Sequence, residues 1–223
     1  MEPVVDIIIL SNTANVKYYC LLEKCINSLK DSNDIKPNII VVESNTKLRD
    51  KKFKEMLKIN TLIFPDQDFN YNKFVNIGLE ECKNEAILIT NNDVFYEKDT
   101  LKILYKHLET YDSVSPWDNN ITPKLHSERG IYEGYKIRYN VAGYSILTTR
   151  STLNTIGNFD EKFSFWYADD DYAMSLKANK LRHALIGSAS VFHAVEQSHG
   201  LFNEEERIKQ TTGAKKIFEE KWK

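Results

Sequence analysis

The chain has 223 residues, of which 42% are hydrophobic, and this is enough for one sizeable core. Its 30 basic and 32 acidic side chains give a net charge of −2, so it lacks the basic excess typical of nucleic-acid-binding proteins, although a local basic stripe could be hidden in the sum. No apolar stretch approaches the ~20 residues of a membrane span, and the run at residues 4–10 has no basic leader. Three cysteines without zinc-ligand spacing predict free thiols in a reducing compartment. We therefore expect a soluble, cytoplasmic protein.

Short apolar runs alternate with helical patterns through the first half of the chain. The apolar runs predict strands over residues 4–10, 39–42, 61–64 and 86–90. Apolar positions at helical spacing predict helices over residues 18–29, 48–57, 72–82 and 100–108. Strands that alternate with helices predict an α/β fold with a mainly parallel central sheet flanked by helices.

The second half of the chain has a less regular pattern. Residues 115–134 are polar and contain proline, and they predict a long loop over the sheet edge. Strand material is expected over residues 137–148, interrupted by Gly143, and a last strand over residues 185–192. Further helices are predicted over residues 152–156, 168–179 and 204–222. We find no repeat or linker, so we expect a single domain over residues 1–223.

Polar residues follow the predicted strands of the first half. In a parallel sheet, ligands bind beyond the carboxyl ends of the strands, so these residues are candidates for a binding site. They include Ser11, Asn12, Glu43, Asn91, Asn92 and Asp93. The Asp93 carboxylate suits Mg²⁺ or Mn²⁺, which take oxygen ligands and are often completed by substrate phosphates. The alternative is that residues 91–93 form an Asx turn or a helix cap. For Glu43 the alternatives are a hydrogen bond to a nucleotide base and an ordinary surface side chain.

The run Asp169, Asp170 and Asp171 begins a predicted helix. Three adjacent carboxylates repel one another, and a helix cap would require only one of them. The aromatic residues before the run, among them Trp166, form the kind of platform on which sugar rings stack. The alternative is that the aromatic residues pack in the core and that the three carboxylates form a helix cap with more charge than capping needs. His193, after the last strand, could complete a metal shell through a neutral ring nitrogen.

In this order, the segments resemble the family 2 glycosyltransferases of the GT-A, Rossmann-like fold over residues 4–195. Residues 7–12 are similar to the family's first strand and loop, and Val41-Val42-Glu43-Ser44-Asn45 is similar to the acidic end of its second strand. Asn76-Ile77-Gly78 matches the family's Asn-x-Gly motif. Asn91-Asn92-Asp93 matches its DxD motif, with Asn in the first position. Residues 157–163 match its G-x-F-D-E-x-F motif.

The resemblance implies an inverting, metal-dependent glycosyltransferase that moves a sugar from a nucleoside-diphosphate sugar to an acceptor hydroxyl. Asp169 is the implied catalytic base and its neighbour Asp170 could take that role, while Asp93 and His193 would hold Mn²⁺ or Mg²⁺. The donor, with a UDP-sugar as the expectation from Glu43, would be bound by Ser11, Asn12, Glu43, Asn72, Lys73, Asn76, Asn91 and Asn92. The platform for the acceptor or sugar would be formed by Gly143, Tyr144 and Trp166.

The resemblance also divides the chain by role. Residues 1–95 would form the nucleotide-sugar-binding half, residues 96–198 the acceptor and catalytic half, and residues 199–223 a C-terminal helix. The chain is also similar to short phage-encoded glycosyltransferases, some of which modify 5-hydroxymethylcytosine in phage DNA. Such a role would place the protein in the host cytoplasm. Four basic residues could then contact phosphate or form a solvated loop: Lys124, Arg129, Lys136 and Arg138.

Other functions are open at this point. A glycan, a lipid-linked sugar or a protein could be the acceptor instead of DNA. A sugar- or nucleotide-binding module without activity is a second class, although a binder needs no base. A nucleotidyltransferase is disfavoured, because residues 11–15 contain neither glycine nor a basic residue.

Overall fold

The structure is a computed structural model that describes residues 2–49, 51–194 and 204–223. Its strands are β1 (Val4–Ser11), β2 (Lys36–Glu43), β3 (Thr61–Ile63), β4 (Ala86–Asn91), β5 (Val94–Tyr96), β6 (Ser113–Asp118), β7 (Ile131–Glu133), β8 (Ser145–Thr149) and β9 (His183–His193). Its helices are α1 (Val16–Lys30), α2 (Lys51–Leu57), α3 (Tyr71–Glu81), α4 (Thr100–His107), α5 (Arg150–Ile156), α6 (Ala168–Ala178) and α7 (Glu204–Lys221). Short 3-10 helices form at Thr46–Leu48 and Thr122–Lys124.

The strands form one sheet in the order β3-β2-β1-β4-β8-β6-β9-β5, and β7 also pairs with β9. β1 is parallel to both β2 and β4, and β2 is parallel to β3. β8 runs antiparallel between β4 and β6, whereas β6 and β9 are parallel to each other. β5 and β7 are antiparallel to β9. The predicted α/β fold with flanking helices is therefore confirmed, with a mixed sheet in which most strands point the same way.

The central strand β1 is apolar because both of its faces are covered. Ile7 and Ile9 pack in the cluster that contains the apolar side of α1, whereas Ile8 packs in the cluster that contains α3. This is the alternation that a pleated strand imposes. α3 lies so close to β1 that a Cβ at Gly78 would come within 2.6 Å of Ile8 Cγ2. Glycine at this position permits the close approach.

The predicted loop over residues 115–134 was wrong at both of its ends. Ser113–Asp118 forms the internal strand β6, and all six of its residues are buried between β8 and β9. Its polar side chains find partners far away in sequence: Tyr172 Oη donates to Ser113 Oγ at 2.8 Å, and the Ala142 amide donates to Ser115 Oγ at 3.1 Å. Sequence periodicity does not reveal such partners. β7 also lies in the predicted loop, and β5 was not predicted.

The remaining expectations concern membrane spans, cysteines and the end of the chain. Among the described residues, no helix is both long and apolar enough to cross a membrane. Cys25 and Cys82 are buried and Cys20 is exposed, all as free thiols. α7 occupies most of the predicted segment 199–223, but residues 199–203 lie outside the described part. The single-domain organisation stays a prediction.

Candidate active site

A cavity of about 640 Å³ lies at the carboxyl ends of β1 and β4 and reaches the start of α6. The predicted site residues that line it are Ser11, Asn12, Asn91, Asn92, Asp93, Gly143, Tyr144, Trp166, Asp169 and Asp170. The remaining lining residues are Leu10, Phe69, Tyr71, Ile137, Arg138, Phe165, Tyr167 and Ala168. The structure thus brings the polar strand ends of the first half and the acidic run of the second half together around one cavity.

The first wall of the cavity is fixed by strand pairing. Leu10 of β1 lies opposite Asn91 of β4, and this register puts Ser11 beside the turn that contains Asn92. Asn92 Nδ2 donates to Ser11 Oγ at 3.1 Å, and both residues are buried. Main-chain and side-chain bonds therefore hold this wall in one geometry.

Glu43 supports this wall from behind. Its carboxylate is fully buried and accepts hydrogen bonds from the Thr13 amide at 3.0 Å, the Thr13 hydroxyl at 2.7 Å and the Asn45 amide at 2.7 Å. These bonds tie the loop after β1 to the end of β2. Glu43 is not among the residues that line the cavity, so its contact with a nucleotide base stays a prediction.

Asp93 and His193 form a buried pair at the edge of the cavity. Pairing of β5 with β9 places Val94 opposite His193, and this brings His193 Nε2 within 3.3 Å of Asp93 Oδ1. The His193 ring stacks on Tyr144, with centroids 4.3 Å apart. His193 does not itself line the cavity, but it contacts two residues that do.

The Asp93 carboxylate is the kind of ligand that Mg²⁺ and Mn²⁺ prefer, and His193 Nε2 is the ring nitrogen beside it that could face the same ion. The buried Nδ1 of His193 has no hydrogen-bond partner among the described residues, and such an atom calls for an explanation. No group of three metal-ligating side chains occurs in the described part of the chain, so substrate oxygens would have to complete the shell. The fit thus depends on a phosphate-bearing ligand.

Asp118 is a nearby carboxylate that sequence reasoning missed, because it fell in the predicted loop. It is fully buried at the end of β6, and its Oδ1 accepts a hydrogen bond from the Asn120 amide at 2.8 Å. Burial raises the pKa of the Asp118 carboxyl, and the nearby His193 ring opposes that rise. Recognition of β6 as an internal strand would have placed Asp118 at the same sheet edge as Asp93.

The acidic run of α6 is divided between two roles. Asp169 and Asp170 line the cavity. Asp171 is buried on the other side of the helix, where it accepts hydrogen bonds from Lys221 Nζ at 3.0 Å and Trp222 Nε1 at 2.8 Å. Helical geometry turns successive side chains by about 100°, which separates the third carboxylate from the first.

Asp169 has the electrostatics of a proton acceptor. Burial raises its pKa to about 6, the neighbouring Asp170 contributes to the rise, and Arg138 opposes it. Burial also raises the pKa of Asp170. Gly143 provides the space that Asp169 occupies, since a Cβ at residue 143 would fall 2.6 Å from Asp169 Oδ2. A carboxylate with a pKa near neutrality, in a cavity, is suited to general-base work.

Aromatic side chains form much of the second wall. Phe165 and Trp166 pack edge to face at 5.2 Å, and Tyr71 Oη donates to the Gly143 carbonyl at 3.3 Å. The buried Nε1 of Trp166 has no partner among the described residues, so it is available to an oxygen of a ligand. Phe69 and Tyr71 were missed as lining residues, although their position after the β3 strand was a usable signal.

Asn72 and Asn76 lie outside the cavity and hold the segment that precedes the acidic run. Asn72 Nδ2 donates to the Asp160 carbonyl at 2.8 Å. Asn76 donates to the Phe159 carbonyl at 2.9 Å and accepts from the Phe159 amide at 3.0 Å. Lys73 does not line the cavity either. Direct donor contacts by these three residues stay predictions.

Arg138 is the basic residue that reaches the cavity. Its backbone has φ +69°, and its guanidinium group forms no hydrogen bond or ion pair with the described residues. Arg129, by contrast, donates to Ser190 Oγ at 2.6 Å and Asn119 Oδ1 at 2.7 Å. The Lys136 ammonium lies 4.4 Å from the Tyr139 ring centroid, and Lys124 is exposed.

The sheet, with a cavity at its carboxyl ends that is lined by Asp93, Asp169 and Asp170, is an α/β fold of the GT-A type. The sequence model of glycosyl transferase family 2 matches residues 8–164. The chain therefore belongs to glycosyl transferase family 2 and is a glycosyltransferase. The match ends before α6, so it does not cover the acidic run or α7.

Solved structures share the fold at low sequence identity. TarS 1-349 of S. aureus is 15% identical, with a TM-score of 0.66 over 94% of this chain and 69% of that chain. The mannosyltransferase PcManGT from Pyrobaculum calidifontis, solved with GDP-Man and Mn²⁺, is 15% identical, with a TM-score of 0.65 over 89% of this chain and 59% of that one. GalNAc-T7, solved with UDP, GalNAc and Mn²⁺, is 9% identical, with a TM-score of 0.67 over 85% of this chain and 43% of that one. The chain thus spans less than two thirds of the latter two. No curated protein sequence matches it.

Proposed function

We propose that the chain transfers a sugar from a nucleoside-diphosphate sugar to an acceptor hydroxyl, with inversion at the anomeric carbon. The observation that carries this proposal is that one cavity contains Asp169, with a pKa of about 6, and the buried Asp93 of the Asp93–His193 pair. Residues 1–95 would bind the donor, and residues 96–198 would supply the acceptor site and the base.

The donor would lie against the first wall of the cavity. The polar side chains of Ser11, Asn12, Asn91 and Asn92 would bind its nucleotide and phosphates. Glu43 would keep the loop after β1 in place, and Asn72 and Asn76 would hold the segment before α6. A UDP-sugar is the first donor to test, because the acidic end of β2 resembles the family's base-contacting segment.

Asp93 and His193 are proposed to hold Mn²⁺ or Mg²⁺. Two of the solved structures with the same fold contain Mn²⁺, and this supports the choice of metal. A divalent ion at that place would stabilise the negative charge that develops on the leaving diphosphate. His193 Nε2, 3.3 Å from Asp93 Oδ1, is the ring nitrogen that would bind the same ion.

Asp169 is the proposed base. In its ionised form it accepts the proton of the acceptor hydroxyl while that oxygen attacks the anomeric carbon from the face opposite the diphosphate. The sugar carbon passes through a state with oxocarbenium character, as in glycoside hydrolysis. Asp170 raises the pKa of Asp169 by charge repulsion and is the second candidate for the role. Gly143, Tyr144 and Trp166 would form the platform for the sugar or the acceptor.

The acceptor proposed for the first test is 5-hydroxymethylcytosine in DNA. Phe165 and Trp166 offer faces on which a base could stack, and base–aromatic stacking contributes about 1–3 kcal/mol per base. Arg138, at the same cavity, could contact a phosphate. A glycan or a protein is the competing acceptor, and the experiment separates these classes.

The test is release of nucleoside diphosphate from a panel of nucleotide sugars with Mn²⁺. Each donor is incubated alone, with DNA containing 5-hydroxymethylcytosine, with unmodified DNA, or with a glycan or protein acceptor. We expect release that requires metal and one acceptor, and proton NMR of the product should show the inverted anomer. Release only with modified DNA supports the DNA acceptor, and release only with a glycan or protein rejects it. Metal-dependent binding without any release would identify a binding module and reject the transferase proposal.

A further inference from the structure

The last turn of α7 contacts the part of the chain that presents the acidic run. Lys221 Nζ lies 2.9 Å from Asp160 Oδ2 and 2.8 Å from Asp171 Oδ1, so one ammonium joins the segment before α6 to α6 itself. The Trp222 indole donates to Asp171 Oδ1 at 2.8 Å. Asp171 is only 4% exposed, whereas the Lys221 side chain is 33% exposed, and charge-assisted hydrogen bonds are stronger than neutral ones.

Aromatic packing reinforces these polar contacts. The Phe218 ring lies 5.2 Å from Tyr167 and 6.4 Å from Phe163. The Lys221 ammonium lies 5.6 Å from the centroid of the Phe163 ring. α7 therefore packs against Phe163 and Tyr167, the two ends of an aromatic stretch of which Phe165, Trp166 and Tyr167 line the cavity.

Tyr167 has a backbone conformation that neighbouring structure must hold in place. It precedes α6 with φ +63°, and its side chain does not cap the helix. A non-glycine residue in this left-handed region costs on the order of 1 kcal/mol or more and persists where its surroundings fix it. The α7 contacts provide such surroundings on the outer side of the turn, while Asp169 emerges on the inner side.

We propose that the end of α7, with Lys221 in its last turn and Trp222 directly after it, positions the catalytic carboxylates, and that both residues act through Asp171. This inference rests on the proposed role of Asp169 as the base. Asp171 is the anchor of the acidic run: its bonds to α7 fix the rotation and the start of α6, and thereby the direction in which Asp169 and Asp170 enter the cavity. The donor wall at β1 and β4 has no part in this arrangement.

Two substitutions separate this role from general stability. Lys221→Met keeps the length of the side chain and removes the ammonium, and Trp222→Phe keeps the ring and removes the indole N–H. We expect kcat to fall about ten- to a hundredfold in the double variant, since a displacement of about 1 Å can cost a hundredfold. The KM for the donor and the affinity for the nucleotide should each change less than about twofold, because the substitutions do not touch the donor wall. With Arg instead of Met at position 221, most of kcat should be restored. The matched control is Lys216→Met, which changes an exposed position on the same helix.

Hydrogen–deuterium exchange provides a readout that does not need activity. In the double variant, the amides at residues 168–173 should exchange at least about five times faster than in Lys216→Met, whereas those of β1 and β4 should not change. Unchanged exchange at the start of α6 would overturn the inference, whatever the activity. So would equal losses of kcat and nucleotide affinity that Lys221→Arg does not restore. Absence of nucleoside diphosphate release by the unmodified protein would instead reject the proposed function.

Discussion

The two walls of the cavity are held by different means. The first wall, at the ends of β1 and β4, is fixed by strand register and by bonds such as Asn92 to Ser11. The second wall, formed by residues 143–144 and 165–170, consists of aromatic side chains and two carboxylates whose pKa values are raised by burial. Its geometry depends on packing of separate segments, including α7.

The contrast indicates a division of labour within the site. A pre-formed polar wall is suited to a donor that presents the same nucleotide and phosphates each time. A wall with a carboxylate of raised pKa and an indole N–H that has no hydrogen-bond partner among the described residues is suited to the reacting atoms, because substrate can supply further partners. Changes to the second wall should therefore affect turnover, and changes to the first wall should affect binding.

The largest effect is expected from Asp169→Asn. Removal of the proposed base should lower kcat about a thousandfold, within the range that general-base catalysis contributes. Nucleotide affinity, measured by calorimetry, should stay within about threefold because the donor wall is unchanged. Asp170→Asn is the comparison: if that variant loses turnover and Asp169→Asn keeps it, the base is Asp170.

Asp93→Ala tests the opposite wall. We expect metal-dependent affinity for UDP to fall about a hundredfold, because the proposed metal would lose its carboxylate ligand. Calorimetric titrations with and without Mn²⁺ measure the effect. Asp31→Ala removes an exposed carboxylate at the end of α1 and should leave the affinity unchanged. Equal affinity in Asp93→Ala and the unmodified protein would exclude Asp93 as a metal ligand.

Gly143→Ala adds a methyl group where Asp169 stands. The new Cβ would lie 2.6 Å from both Asp169 Cβ and Oδ2, so the carboxylate must move. We expect kcat to fall about tenfold or more, with donor KM nearly constant, because misplacement of a reacting group lowers only the chemical step. Gly213→Ala is the matched control, since nothing lies within 4 Å of a Cβ there. A normal kcat in Gly143→Ala would indicate that the position of Asp169 does not limit the reaction.

The smallest expected effects come from pH. Since the pKa of Asp169 is raised from 3.8 to about 6, kcat should fall as pH decreases through 6, as the base becomes protonated. The raised pKa of Asp169 also affects the stability of the fold, which should fall with rising pH where kcat rises. A carboxyl with a raised folded-state pKa stabilises the fold below its unfolded pKa, and this contribution is lost as pH rises through the folded pKa.

Asp169→Asn should therefore be more stable than the unmodified protein above pH 6, by no more than about 3 kcal/mol, and the difference should vanish below about pH 4. Urea unfolding at pH 4 and pH 7.5 measures this difference. A gain in stability that is the same at both pH values would mean that the substitution acts through packing and not through the charge of Asp169.

The sequence by itself determined most of the first half of the fold, except β5, and the position of the cavity. The apolar runs of β1, β2 and β4 are buried on both faces, so their composition alone identified them, and the polar residues that follow β1 and β4 line the cavity as expected. Of the three adjacent carboxylates that the sequence singled out, Asp169 and Asp170 line this cavity, and their catalytic role stays a prediction.

Only the tertiary structure decided which side chain has which role. Asp171 differs from Asp169 because Lys221 and Trp222, about 50 residues later, meet it across the fold. The Glu43 carboxylate accepts hydrogen bonds from Thr13 and Asn45. β6 is an internal strand whose polar side chains form hydrogen bonds with residues far away in sequence. Periodicity and propensity report local preferences, whereas burial and hydrogen-bond partners depend on contacts between segments far apart in the chain. The distinction between the carboxylates that face the cavity, the one that is anchored and the residues that support them belongs to this second class.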